Sequence, residues 1–175
     1  MANGYKTQAV SVRTSSGSEV DYPTRRRLPQ LLRRAWYGLN QAFRRRIAHT
    51  GVTPDQFTVM RTLLEGDAAG LTQRDLTTAM SSDPNTVASL LERMAVAGWI
   101  ERQPHESDRR AYRIRLLPTG RASYDECRAL AVELQAEVLA VLPEGEREHF
   151  LVQLDQLARA CRGAAENSPR PGTHL

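Results

Sequence analysis

Lysine is almost missing from this chain: of its 24 Lys and Arg residues, Lys6 alone is lysine. That bias follows most simply from a GC-rich genome, but arginine also suits planar phosphate and base contacts better than lysine does. Cysteine is equally scarce. Cys127 and Cys161 are far apart and form no metal-type spacing, so a reducing cytoplasm is the expected setting. The four histidines, His49, His105, His149 and His174, are scattered, and no pair has the spacing of a zinc site or of a Ser-His-Asp arrangement. Neither metal binding, a cofactor nor catalysis has support. No apolar run approaches the roughly 18 residues of a membrane span, and the first residues lack the apolar segment of a signal peptide. There is no internal repeat. The expectation is a soluble, cytoplasmic protein that is not an enzyme and has no membrane partner.

What is present is enough for one domain. The 175 residues are 41% hydrophobic, which suffices for a core, and a formal charge of +4 fits a polyanionic partner without requiring one. Residues 1–27, rich in Ser, Thr, Gly and Arg, and 163–175, with "ENSPRPGTHL", offer little to bury and are expected to be disordered tails. The domain proper spans 28–162.

Its first part is helical. Leu31, Leu32, Ala35, Trp36, Leu39, Phe43 and Ile47 recur at spacings of three and four, a broad apolar stripe that Gly51 is placed to stop. "TPDQF" then offers Thr53 as N-cap, Pro54 at the first helical position and Gln56 to close a capping box; Phe57, Met60, Leu63 and Leu64 continue the stripe to Gly66. Thr72 caps the short "TQRDLTTAM", and Asp83-Pro84 opens "NTVASLLERMAVAG", with Gly98 as its C-terminal cap. Two short helices joined by a tight turn result.

The pattern then changes period. "WIERQ" and "AYRIRLL" are β-type segments around "PHESDRR", whose Pro, Ser and Asp form turns, so a hairpin with a charged tip is expected. Tyr112, Ile114 and Leu116 alternate with Arg113 and Arg115, which places the two arginines on the opposite face of the strand. Pro118 reopens a helix to about Leu142 with a stripe through Ala122, Cys127, Leu130, Leu134, Val138 and Val141. After Pro143, Phe150, Leu151, Leu154, Leu157, Ala158 and Cys161 form another. A helix-turn-helix followed by a basic hairpin is a winged helix, here over about 53–117. The flanking helices, about 28–50 and 118–162, carry more apolar surface than so small a module covers, which suggests a second copy of the chain.

This order of elements, with "AGWIERQPHESDRRAYRIRLLPTG" as its wing, resembles the MarR family of bacterial transcription regulators over roughly residues 28–162. Gly98, Ile100, Arg102, Asp108-Arg109-Arg110 and Leu116 to Gly120 carry the resemblance most specifically. One position departs: Leu117 stands where the family usually has a threonine to cap the next helix, leaving its first amides to Pro118, Thr119 or water. The resemblance implies a mainly α fold with a small hairpin wing between dimerisation helices. It also implies a homodimer that binds a palindromic double-stranded DNA operator, as a repressor released by a small aromatic or lipophilic effector.

Several site residues follow. Val87, Leu90, Leu91 and Met94 face inward on the second helix of the pair, leaving Asn85, Thr86, Ser89 and Arg93 for the major groove; Asn and Arg can each hydrogen-bond a purine edge twice. Arg93 can equally pair with Glu92 or contact a phosphate. Arg74 suits a phosphate, and Arg109, Arg110, Arg113 and Arg115 form the wing's basic set, with Asp108 bracing the tip by a bidentate pair. Which of Arg109 and Arg110 enters the minor groove is open. The resemblance places Trp36, Asn40, Phe57 and Met60 on an effector crevice, although each alone suits core packing. Two alternatives remain at this point: a winged helix used for protein contact, and a regulator with a thiol switch at Cys127 or Cys161.

Overall fold

A computed structural model describes residues 27–106, 108 and 111–168. It divides into two units, residues 1–39 and 40–175, whose boundary falls inside the first helix. Helix α1 spans Leu28–Arg46, and its portion in the first unit leaves Leu28, Leu31, Trp36 and Tyr37 exposed. Trp36, at 64% exposure, is therefore a surface residue of this chain, whatever its place in the apolar stripe.

The second unit holds the core. Past a 3-10 turn at Ala48–Thr50, α2 spans Pro54–Glu65, β1 Leu71–Thr72, α3 Gln73–Ala79 and α4 Pro84–Val96. Strands β2 (Ile100–Pro104) and β3 (Tyr112–Leu116) follow, then α5 (Pro118–Leu139) and α6 (Glu144–Glu166). The local signals act as expected. Thr53 and Gln56 close a full capping box, with Thr53 N–H donating to Gln56 Oε1 at 2.8 Å. Thr72 and Asp75 close a second one at α3. At the end of α4, Trp99 N–H reaches the Met94 carbonyl and Gly98 N–H that of Ala95, each at 3.0 Å, with Gly98 at φ +71°. This is the Schellman arrangement, and it needs a residue content in the left-handed region.

Ile47, Met60, Leu76, Val87, Leu91, Met94 and Ile114 are fully or nearly fully buried and bind α2, α3, α4 and the sheet into one cluster. The sheet has a strand the sequence pattern did not reveal: β1 pairs antiparallel with β3, giving the order β1-β3-β2. Two residues are too short to show alternation, and Thr72 reads first as a helix cap. Helix α6 also corrects the expected boundary at 163. It continues through Gly163 to Glu166 before the residues beyond 168, which, like 1–26, lie outside the described part. A single mid-helix glycine costs only about 1 kcal/mol, and Ala164, Ala165 and Glu166 favour helix.

Helix α5 starts at Leu117 without a side-chain cap. Thr119 does not replace it: its hydroxyl donates to the Gly98 carbonyl, while Leu117 N–H donates to Trp99 O at 2.9 Å. The end of α4 and the start of α5 are thus tied directly, and the winged helix closes on itself.

Candidate nucleic-acid interface

Two elements carry the expected DNA residues. On α4 the buried Val87, Leu90, Leu91 and Met94 leave Asn85, Thr86, Ser89 and Arg93 exposed, within an arc of about 100° on the helical wheel. Asp83 fixes the start of this helix, its Oδ1 accepting from Asn85 N–H at 3.1 Å and Thr86 N–H at 2.9 Å. The Thr86 hydroxyl donates to the same carboxylate, so its proton is spent on the cap. Asn85, Ser89 and Arg93 have side chains with no hydrogen bond or ion pair among the described residues. Sequence reasoning missed Gln73, whose Nε2 donates to the Pro84 carbonyl at 3.1 Å and pins α3 to the first turn of α4.

The hydroxyl and amide of Thr86 hold the Asp83 carboxyl below its ordinary range. A folded value below the unfolded one, about 3.9, means that the cap stabilises above that pH and that its contribution is lost as the pH falls through the lowered value. Asn in place of Asp83 still accepts from the amides. The melting temperature of wild type is therefore expected to exceed that of Asp83→Asn near neutral pH, with the gap closing below about pH 4. A gap independent of pH in a melting series would show that the charge contributes nothing.

The second element is the hairpin. Its register places Ile100 opposite Leu116, Arg102 opposite Ile114 and Pro104 opposite Tyr112, all on one face. Glu101 opposite Arg115 and Gln103 opposite Arg113 occupy the other. Arg113 is not a bare cation. Its Nε donates to both Glu106 oxygens at 2.9 and 3.1 Å, and its Nη1 to the Gly70 carbonyl at 3.0 Å. The Arg113 guanidinium holds the Glu106 carboxyl below its ordinary range. Arg113 therefore clasps the wing to the turn before β1, a bracing contact the sequence did not assign to it. Asp108 accepts Ala111 N–H on its carbonyl at 3.0 Å, and the bidentate pair expected of its carboxylate with Arg110 lies outside the described residues. Arg109 and Arg110 lie outside the described residues. Arg74 is exposed on α3.

A family model described as the MarR family matches residues 52–112, from α2 to the start of β3. The HTH-type transcriptional regulator BilQ of Clostridium symbiosum is 30% identical over 94 residues, covering 54% of this chain and 65% of BilQ. Over this stretch the chain is similar to the MarR family. The HTH-type transcriptional regulator PecS of Dickeya dadantii is 28% identical over 59% of this chain and 63% of PecS. The chain thus matches just under two thirds of the length of either regulator. Among solved structures, BpsR of Bordetella bronchiseptica superposes with a TM-score of 0.70 at 25% identity, covering 78% of this chain and 96% of BpsR. That structure concerns regulation of BpsR's DNA binding by 6-hydroxynicotinic acid.

The residues expected to line an effector crevice divide sharply. Met60 is fully buried, and Phe57 is enclosed by Phe43, edge-on at 5.0 Å, and Tyr124, stacked at 5.2 Å, with the Arg61 guanidinium over its ring. Both are core side chains. Asn40 is half-buried, and Trp36 is exposed in the other unit. The cysteines divide too. Cys127 is buried against the Thr50 hydroxyl at 3.5 Å, and burial pushes its thiol up, away from the reactive thiolate. Cys161, expected to be buried, is exposed on α6. Among the described residues no helix is long and apolar enough to cross a membrane, and no group of three or more His, Cys, Asp or Glu is placed to hold a metal ion.

Proposed function

We propose that this protein is a sequence-specific DNA-binding transcription regulator and not an enzyme. It acts as a homodimer on a palindromic operator, as a repressor whose affinity for DNA falls when a small aromatic or lipophilic molecule binds. The observation that carries the reading is the outward face of α4. Asn85, Ser89 and Arg93 stand there without a side-chain partner among the described residues, on a helix whose opposite face is buried, directly ahead of a clasped basic wing. Polar groups with two-point hydrogen-bonding capacity on an exposed helix are what readout of base edges requires. In this reading Arg74 and Arg115 contact phosphates, Arg109 or Arg110 probes the minor groove, and Arg113 serves by holding the wing in place. The regulation of BpsR by an aromatic acid supports the same reading. Fragments of random DNA retained on the immobilised protein at moderate salt test it, because a module for protein contact retains none.

Dimerisation follows from the helices outside the winged helix. No residue of the 23-residue α6 is buried, and Phe150, Val152 and Leu154 on it stand exposed, as do Val138 at the end of α5 and Val141 just beyond it. An isolated helix with no buried face is marginal in water. A dimer at micromolar concentration is expected by light scattering, with an interface of more than about 2,000 Å² if obligate. A monomer would remove the palindromic operator from the account.

Of the residues proposed for the effector site in the second unit, Asn40 has surface to offer. A phenolic or other aromatic ligand that binds there is expected to raise the melting temperature and weaken operator binding together, through linkage of the two equilibria. A broad panel that does neither would contradict regulation by such a ligand.

A further inference from the structure

The wing's free positive charge is not confined to its outer face. There Arg113 is neutralised by Glu106, while Arg115 faces Glu101 across the strands without an ion pair among the described residues. On the inner face Arg102 stands opposite Ile114, with no carboxylate across from it, and forms no hydrogen bond or ion pair among the described residues. It borders a cavity of about 460 Å³ between α3 and the wing, whose walls include Gln73, Arg74, His105, Asp108 and Tyr112. Arg74 on the facing wall is likewise unpaired. Its neighbour Asp75 forms no ion pair with it among the described residues: that carboxylate is held by the Thr72 amide at 2.9 Å and hydroxyl at 2.7 Å, and Arg74 acts on it only through the longer-range field. Two guanidiniums and one carboxylate, Asp108, therefore border a space with room for roughly fifteen waters at about 30 Å³ each.

We infer that this cleft seats one phosphodiester of the DNA backbone, with Arg74 reaching it from α3 and Arg102 from the wing. The inference rests on the DNA-binding reading above and adds Arg102 to the residues that make the interface. Two like charges facing one cavity repel until an anion sits between them, and a guanidinium fork matches the oxygens of a phosphate. The position suits the task as well. Gln73 ties α3 to the first turn of α4, so a backbone phosphate held here sets the register at which α4 enters the groove.

The test measures binding of the full chain to a site selected from random DNA and to scrambled DNA, at several salt concentrations. Arg74→Ala, Arg102→Ala, Arg102→Lys and the double alanine variant are compared with wild type. Each single alanine variant is expected to weaken both DNAs by the same factor, roughly tenfold, and to flatten the salt dependence by less than the about 0.9 per subunit that loss of the whole phosphate contact gives. Arg102→Lys, which keeps a charge, falls between Arg102→Ala and wild type. Because both arginines hold one phosphate, the double variant loses less than the product of the single losses. Unchanged melting temperatures confirm that the exposed substitutions leave the fold intact. If wild type binds DNA while Arg102→Ala matches it in affinity and salt slope, the seat does not exist. If the losses multiply, the two residues touch separate phosphates and the shared seat is wrong. Failure of wild type to bind any DNA instead removes the functional reading itself.

Discussion

Gly120→Val is expected to lower the stability of the protein by about 3 kcal/mol, the upper end of the usual cost of overpacking. A Cβ at position 120 would lie 2.3 Å from the Trp99 carbonyl oxygen and 2.8 Å from Leu116 Cδ1. The oxygen cannot retreat, since it accepts Leu117 N–H at 2.9 Å, and the adjacent Gly98 carbonyl accepts the Thr119 hydroxyl. Strand β2 and helix α5 must therefore separate, and the wing's base moves with them. For a chain of this size the loss corresponds to a drop in melting temperature of roughly 6–12 °C. Gly145→Ala provides the contrast. Nothing lies within 4 Å of a Cβ there, so that variant should melt at or slightly above wild type. Equal melting of Gly120→Val and wild type would show that α5 does not approach Trp99 so closely.

The second large effect belongs to Arg93. Arg93→Ala is expected to cost roughly 1–3 kcal/mol per half-site on the operator while leaving scrambled DNA nearly unaffected, and to relax preference at one position in each half-site. Arg93 has no partner to lose among the described residues, so its removal is expected to leave the fold unchanged and to appear in binding. Arg115→Ala provides the comparison, because loss of a phosphate contact weakens both DNAs alike and flattens the salt dependence. Arg109→Ala should fall between them, since an arginine in the minor groove senses width without reading single bases. An Arg93→Ala variant that loses equal affinity for both DNAs, beside an Arg115→Ala variant that loses affinity only for the operator, would reverse the two placements.

The sequence disclosed what depends on near neighbours. Thr53, Thr72 and Asp83 all cap the helices their spacing marks, and the inward face of α4 is the one its periodicity marks. These signals are local because capping and amphipathicity are decided within one or two turns. What stayed hidden depends on contacts between distant segments. Arg113 spends its charge on Glu106 and on a carbonyl 43 residues away, so alternation alone made it look like a free face of the wing. The demand for glycine at 120 comes from the Trp99 carbonyl, and β1 exists because β3 has an open edge for Leu71 and Thr72 to join. Arg102 was legible only as part of a family motif. Its place beside Arg74 required the register of the hairpin and the position of α3.

The central claim is that the outward face of α4 reads DNA sequence in a dimer. Repeated selection of bound fragments from a random duplex pool tests it most directly, with wild type and Arg93→Ala run side by side at moderate salt. The account predicts that wild type enriches an inverted repeat whose half-sites lie about one helical turn apart. Arg93→Ala should enrich the same repeat with one symmetric pair of positions degenerate. A pool in which wild type enriches no sequence, or retains no DNA, would contradict it.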